Sequence, residues 1–108
     1  MQNKVFLTGH ITKPVKSFST SGKAKIDFRI AVKRDGNKRH TDWVPCCLWG
    51  IVAETHMDYL LKGRRIQLEG RLEVDKGDKV TFFRVNVEKV YYLDKKGDVN
   101  ERETTEQF

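Results

Sequence analysis

The sequence predicts an all-β domain in which five strands form a barrel and one helix lies between the third and fourth strands. Three observations indicate this fold. Several segments alternate apolar and polar residues, which is the period of a half-buried strand. Only residues 51–61 carry apolar side chains at helical spacing. A chain of 108 residues also leaves room for a single domain with one core.

The first two strands are separated by a polar loop. The first strand is predicted over residues 3–12, where Val5, Leu7 and Ile11 face inward. Residues 13–22 form the loop. Residues 23–33 form the second strand, the most regular in the chain, because every second residue is apolar and most of the others are basic.

The third strand contains both tryptophans of the chain. Trp43, Pro45, Cys47 and Trp49 share one face of it, whereas Cys46 points into the core. The two indoles therefore point the same way, roughly 20 Å apart at about 3.3 Å per residue. Neighbouring cysteines project to opposite faces, so a disulfide between them is disfavoured.

A tight turn at Asp35-Gly36 joins the second and third strands. After the third strand the chain is predicted to form a helix over residues 51–61, with Gly63 as a left-handed stop. Residues 64–74 and 79–87 form the last two strands, with a bulge or bend expected at 88–90. Their inward-facing residues are Ile66, Leu68, Gly70, Leu72, Val74, Phe83, Val85 and Val87. Three strands, a helix and two strands is the order of a five-stranded Greek-key barrel of the OB type, a fold that binds oligonucleotides.

The charge of the chain is uneven. The net charge is +6, and residues 94–108 hold five acidic and three basic residues, so residues 1–93 carry +8. A basic body with an acidic end is typical of polyanion-binding proteins, although a merely soluble basic surface would look the same.

Catalysis has little support in the sequence. His10, His40 and His56 are scattered, and no nucleophile or paired carboxylate accompanies them, so we expect no enzyme activity. We expect no metal site and no cofactor, because zinc-ligand spacing and Gly-rich phosphate loops are both missing. No apolar run approaches the length of a membrane span, and the chain does not begin like a signal peptide. A cytoplasmic location without membrane contact is therefore expected.

Three motifs in order resemble the bacterial single-stranded DNA-binding protein family. They are the opening 3–9, the Ser-Gly-Lys-Ala turn at 21–24, and WVPCCLWGIVAETHMDYLLKGRRIQLEGRL over residues 43–72. The resemblance extends to about Leu93. It implies sequence-independent binding of single-stranded DNA during replication, recombination or repair. The chain departs from the family in its short turn at residues 75–78, and in Val44, where members often have a polar residue.

The residue pattern and the resemblance together suggest a binding surface. Two groups of residues are the candidates, one that stacks on bases and one that contacts phosphates. The stacking candidates are Trp43, Trp49, Phe18 and Phe82. The phosphate candidates are Lys23, Lys25, Arg29, Lys33, Arg34, Lys38, Arg39, Arg65, Arg71 and Arg84. Packing or a subunit interface could equally cover the tryptophans, and Phe18 could pack onto the barrel.

The partners expected are single-stranded DNA and further copies of the chain, a tetramer ahead of a dimer. The resemblance suggests pairing through the first strand, and Phe6, Val44 and Tyr92 offer apolar surface for it. Residues 1–93 form the predicted binding domain and 94–108 a short acidic tail, whose terminal Phe108 could recruit replication or recombination proteins or simply be frayed. Two other functions stay open, namely RNA or replication-restart binding, and a protein-interaction module using the tryptophans.

Overall fold

A computed structural model describes residues 1–94, apart from the side chain of Lys38. The predicted tail, with Phe108, lies outside the described residues except for Asp94. The elements, in chain order, are β1 (Val5–Ile11), β2 (Val15–Phe18), β3 (Ala24–Arg34), β4 (Asn37–Trp49), α1 (Gly50–His56), β5 (Arg65–Lys76) and β6 (Thr81–Tyr92).

The strands close into the predicted barrel. Their order in the sheet is β1-β5-β6-β4-β3-β2, and β1 also pairs with β3, which joins the two sides of the sheet. Five strands therefore make the barrel, and α1 lies between its third and fourth strands, as the sequence predicted. The short strand β2 is an addition at the edge. It lies in the stretch predicted as a loop, and it forms because its backbone pairs with β3 from Val15 to Phe18.

The helix is shorter than predicted. It begins at Gly50, whose φ of 63° reverses the chain direction after β4, and it ends at His56 rather than at residue 61. After His56 the chain continues as a turn, in which the amide N–H groups of Tyr59 and Leu60 share the carbonyl of His56 in one i→i+3 and one i→i+4 hydrogen bond. Gly63 has the predicted left-handed conformation, with φ of 82°.

The core is formed by the alternating residues of the barrel strands together with Ala53 and Leu60. The end of the β5–β6 hairpin differs from prediction. Leu72, Val74 and Phe83 were expected to face inward, but all three are exposed. They have the correct strand phase, yet the hairpin extends past the end of the barrel, so no core lies beneath them.

The predicted bulge near residues 88–90 is confirmed. Glu69 of β5 pairs with Lys89, and the next residue, Gly70, pairs with Val87, so Glu88 has no opposite residue. Gly70 is required at this point because a Cβ there would collide with the carbonyl oxygen of Asn86.

A largely buried ion pair fixes the end of the barrel. The Nε atom of Arg64 lies 3.1 Å from Oδ1 of Asp94, and its Nη1 donates to the carbonyl of Tyr59. The guanidinium also lies over the ring of Tyr92, 4.0 Å from its centre. The other Asp94 oxygen accepts the backbone N–H of Arg65.

Within residues 1–94, no helix is long and apolar enough to cross a membrane.

Candidate nucleic-acid interface

The register of the strands brings both tryptophans onto one outward surface. We call it the tryptophan face and define it by the outward residues of β3, β4 and β6, which are Lys25, Asp27, Arg29, Ala31, Trp43, Pro45, Cys47, Trp49, Phe82, Arg84 and Asn86. Residues directly opposite each other in paired strands share a face. The tryptophan face is therefore continuous across three neighbouring strands.

The two tryptophans occupy different environments at the two ends of β4. Trp43 lies opposite the small residue Ala31 and keeps 42% of its surface exposed. Trp49 lies opposite Lys25 and is half-buried, because the ammonium groups of Lys25 and Lys23 lie 4.6 Å and 5.4 Å from its ring centre. Such contacts hold a cation at an aromatic ring, where a phosphate next to a stacked base would need it.

The other two stacking candidates are placed differently. Phe82 is exposed on the tryptophan face, four residues before Asn86. Because Asn86 pairs with Cys47 in parallel register, Phe82 lies at the same end of the face as Trp43. Phe18 is also exposed, but it pairs with Ala24, whose side chain lies in the core. The register therefore directs Phe18 to the opposite side of the sheet from the tryptophans.

Pro45 and Cys47 separate the tryptophans. Pro45 has no N–H group to donate, and the β4–β6 ladder is limited to Cys46 and Cys47 directly after it. Cys47 lies on the predicted face but is only 1% exposed. Burial raises the pKa of the Cys47 thiol, and in Cys46, inside the core as predicted, burial raises the pKa to about 12. Both thiols are therefore protonated at neutral pH.

A network centred on Glu73 lies beside Cys47. One Glu73 oxygen accepts hydrogen bonds from Asn86 Nδ2 and Arg71 Nη2, both at 3.0 Å, and the other accepts from Arg84 Nε at 3.1 Å. Arg84 also donates to Asp75 at 2.9 Å. The hydrogen bond from Asn86 and the charges of Arg84 and Arg71 lower the pKa of Glu73. We call these residues the Glu73 network.

Two further phosphate candidates are paired with carboxylates. Arg34 donates two hydrogen bonds to Asp42, at 3.1 Å and 3.0 Å. This hydrogen bonding lowers the pKa of Asp42. Lys25 lies 3.5 Å from Asp27. Together with the Glu73 network, these pairs hold four of the ten predicted phosphate-binding side chains, namely Lys25, Arg34, Arg71 and Arg84.

All the remaining basic candidates except Arg65 are arranged along β3 and its hairpin. Lys23, Arg29, Lys33 and Arg39 are exposed. The backbone of Arg29 is fixed at both ends by Thr12, whose hydroxyl accepts the Arg29 N–H at 3.0 Å and whose N–H donates to the Arg29 carbonyl at 2.9 Å. The side chain of Lys38 lies outside the described part of the chain.

Arg65 lies outside the tryptophan face, on β5, and a row of paired residues that passes around the barrel links it to that face. It pairs with His10 of β1, His10 pairs with Ala31 of β3, and Ala31 pairs with Trp43. One row across four strands thus connects Arg65 with Trp43. The sequence alone did not show this connection, because it depends on the closure of the barrel between β1 and β3.

Sequence reasoning missed the acidic partners. Alternation does place Lys25 with Asp27, and Arg71 with Glu73, on a shared strand face, and this was a usable signal. The pairing of Arg84 with Glu73 depends on the β5–β6 register, which the sequence did not specify.

Within residues 1–94, no group of three or more His, Cys, Asp or Glu side chains is placed to hold a metal ion.

Comparison with known proteins agrees with this geometry. Residues 2–93 match the model of the single-strand binding protein family. The chain belongs to this family. The match spans the whole barrel, from before β1 to the residue after β6. Members of the family are non-enzymatic binding proteins, which agrees with the expectation from the sequence.

Curated relatives carry consistent names. A protein of Fusobacterium nucleatum called single-stranded DNA-binding protein is 35% identical over 114 residues, covering 95% of this chain and 74% of the relative. A protein of the same name from Onion yellows phytoplasma is 33% identical, covering 89% of this chain and 98% of the relative. Single-stranded DNA-binding protein A of Bacillus subtilis is 31% identical, covering 89% and 62%.

Proposed function

We propose that this protein binds single-stranded DNA on the tryptophan face, largely without regard to sequence, and protects it during replication, recombination or repair in the cytoplasm. The observation that carries the proposal is the placement of Trp43 and Trp49 on one surface of β4, with lysine ammonium groups over Trp49. Membership of the single-strand binding protein family and the names of the relatives support the same ligand.

The bases stack on the aromatic residues of the face. Trp43 and Phe82 lie at one end and are accessible without rearrangement, since both are exposed. At the other end, a base reaches Trp49 when Lys23 and Lys25 move from the indole to the adjacent phosphates. Stacking is tolerant of sequence because every base has a π-face, and it contributes about 1–3 kcal/mol per base.

The phosphates follow β3 and its hairpin. Lys23, Arg29, Lys33 and Arg39 are exposed there and make no ion pair with a carboxylate among those seen in residues 1–94. Four to six phosphate contacts, each with a salt dependence of about 0.7, give a slope of log affinity against log salt of about −3 to −4. Titration of labelled oligo(dT) at several salt concentrations measures this slope. A slope near zero would contradict binding to a polyanion.

The choice of DNA over RNA rests on the names of the relatives, because the face has no evident group that selects the 2′-hydroxyl. Competition between a DNA strand and an RNA strand of the same length and sequence tests it. We expect the DNA strand to displace the RNA strand. Tighter binding of the RNA strand would favour the alternative of an RNA-binding module.

We further propose that the protein is a homo-oligomer, a tetramer ahead of a dimer. β1 pairs with β5 over residues 5–10, but it pairs with β3 only at His10 and Ile11. Within the described chain, the second edge of residues 5–9 thus has no strand beside it, and a second copy could pair there. Phe6 is exposed, as expected, whereas Val44 and Tyr92 are half-buried and offer less apolar surface than the sequence suggested.

A further inference from the structure

A groove crosses the tryptophan face between the two tryptophans. Its volume is about 530 Å³, within the range of roughly 300–1,000 Å³ that is typical of small-molecule sites. Val15 and Pro45 contribute apolar surface to its lining. The charged residues that line it are Lys13, Asp27, Arg29 and Arg84. Lys13 and Asp27 were not among the predicted binding residues.

Asp27 is out of place on a surface that binds phosphates. Its carboxylate would repel a DNA backbone, and its side chain is 46% exposed. The partner seen for it, Lys25, is 3.5 Å away and is also drawn toward the ring of Trp49, 4.6 Å from its centre. Asp27 is therefore held less firmly than Glu73, which has three donors within 3.1 Å.

The strand register explains how the groove could hold a base. Arg29 pairs with Pro45 across β3 and β4, and Arg84 precedes Val85, the partner of Cys46. Pro45 therefore lies between the backbone positions of two arginines, and both arginines line the groove. In the next row, Asp27 pairs with Cys47 on one side and with Val15 on the other. A flat ring lying on Pro45 and Val15 would have the exposed Arg29 beside it for a phosphate and the Asp27 carboxylate at its edge.

We propose that this groove binds a nucleobase that carries an exocyclic amino group, which donates a hydrogen bond to the Asp27 carboxylate. An ionised carboxylate only accepts hydrogen bonds, and aspartate pairs in this way with the N4 amino group of cytosine. Thymine has the same ring size but presents a carbonyl oxygen at that position, which the carboxylate disfavours. This inference rests on the proposed function and adds a modest base preference to it.

The test compares oligo(dC) with oligo(dT) of equal length, at mildly alkaline pH, where oligo(dC) stays single-stranded and unprotonated. Affinity for each strand is measured with the unaltered protein and with Asp27→Asn. An amide can both donate and accept, so it no longer favours the amino group. We expect the dC-to-dT affinity ratio to fall by about threefold to tenfold in the variant.

Asp42→Asn is the matched control. It removes the same charge from a carboxylate farther along the β3–β4 ladder, which pairs with Arg34 and does not line the groove. We expect it to raise the affinity for both strands to the same extent and to leave the ratio unchanged. Neither Asp27 nor Asp42 has a buried side chain, so we expect both variants to keep the fold. Thermal melts of the two variants check this.

Two results would overturn the inference. If Asp27→Asn raises affinity for both strands equally, as the control does, then Asp27 merely repels phosphates and reads no base. If the unaltered protein binds neither strand, the proposed function itself fails. The two failures are distinguishable because the first requires measurable binding and the second shows none.

Discussion

Replacing Glu73 with glutamine would free cationic side chains on the tryptophan face. In the structure Glu73 accepts hydrogen bonds from Arg71 and Arg84, so these arginines must leave it, or share it, before they can contact DNA phosphates. The carboxylate and the phosphates therefore compete for the same donors. We expect Glu73→Gln to bind single-stranded DNA more tightly than the unaltered protein.

The size of the effect follows from the number of arginines released. Arg71 loses its carboxylate partner, whereas Arg84 keeps Asp75 at 2.9 Å. Each additional phosphate contact steepens the slope of log affinity against log salt by about 0.7 on a single strand. The single variant should therefore be steeper by about 0.7, and the double variant Glu73→Gln with Asp75→Asn by about 1.4. Stability should fall by only about 1 kcal/mol, because exposed ion pairs contribute little.

The assay is a salt series of fluorescence titrations with oligo(dT), and Glu69→Gln is the control. Glu69 also lies on β5 but pairs with Lys4, so its replacement changes the net charge equally and releases none of the arginines of the Glu73 network. Weaker binding by Glu73→Gln with an unchanged slope would refute the reasoning. The carboxylate would then position the arginines instead of competing for them.

Three further expectations follow from the structure. Arg64→Ala should lower the free energy of unfolding by about 3–5 kcal/mol in urea melts, because it removes the guanidinium from a largely buried ion pair with Asp94; a loss below about 1 kcal/mol would contradict this. Burial lowers the pKa of His56 in the folded protein, so on acidification the unfolded chain binds the proton first. The contribution of His56 to the free energy of unfolding is therefore complete above its ordinary pKa of 6.5 and is lost as the pH falls toward its folded pKa. Urea midpoints on both sides of that value should therefore differ more in the parent than in His56→Gln, and equal pH dependence would refute it. Light scattering at micromolar concentration should show a mass well above the 12.6 kDa of one chain, and a monomer that binds DNA tightly would contradict the oligomer.

Much of the fold could be predicted because alternation and turn residues are local signals. The regular pattern of residues 23–33 placed β3 correctly, and Asp35-Gly36 located the hairpin, where Gly36 has the positive φ that the turn needs. Where the chain depends on its partners, prediction failed. The four residues of β2 are all exposed and have no apolar face of their own, so only pairing with β3 defines that strand.

The candidate site was predictable in its composition but not in its connections. Alternation put Trp43 and Trp49 on one face, and the structure confirms their shared face. It could not show that Arg84 of β6 reaches Glu73 of β5, since that contact depends on the register of a hairpin with a bulge. Nor could it show that Leu72 and Val74 leave the core, because strand phase does not reveal where a barrel ends.

Tryptophan fluorescence during titration with oligo(dT) tests most directly whether bases stack on the tryptophan face. We expect quenching on binding, because a stacked base contacts the indole. Trp43→Ala and Trp49→Ala should each retain the fold and lose about 1–3 kcal/mol of binding free energy. Tight binding with no change in indole fluorescence, or single variants that bind as well as the parent, would contradict stacking at this face.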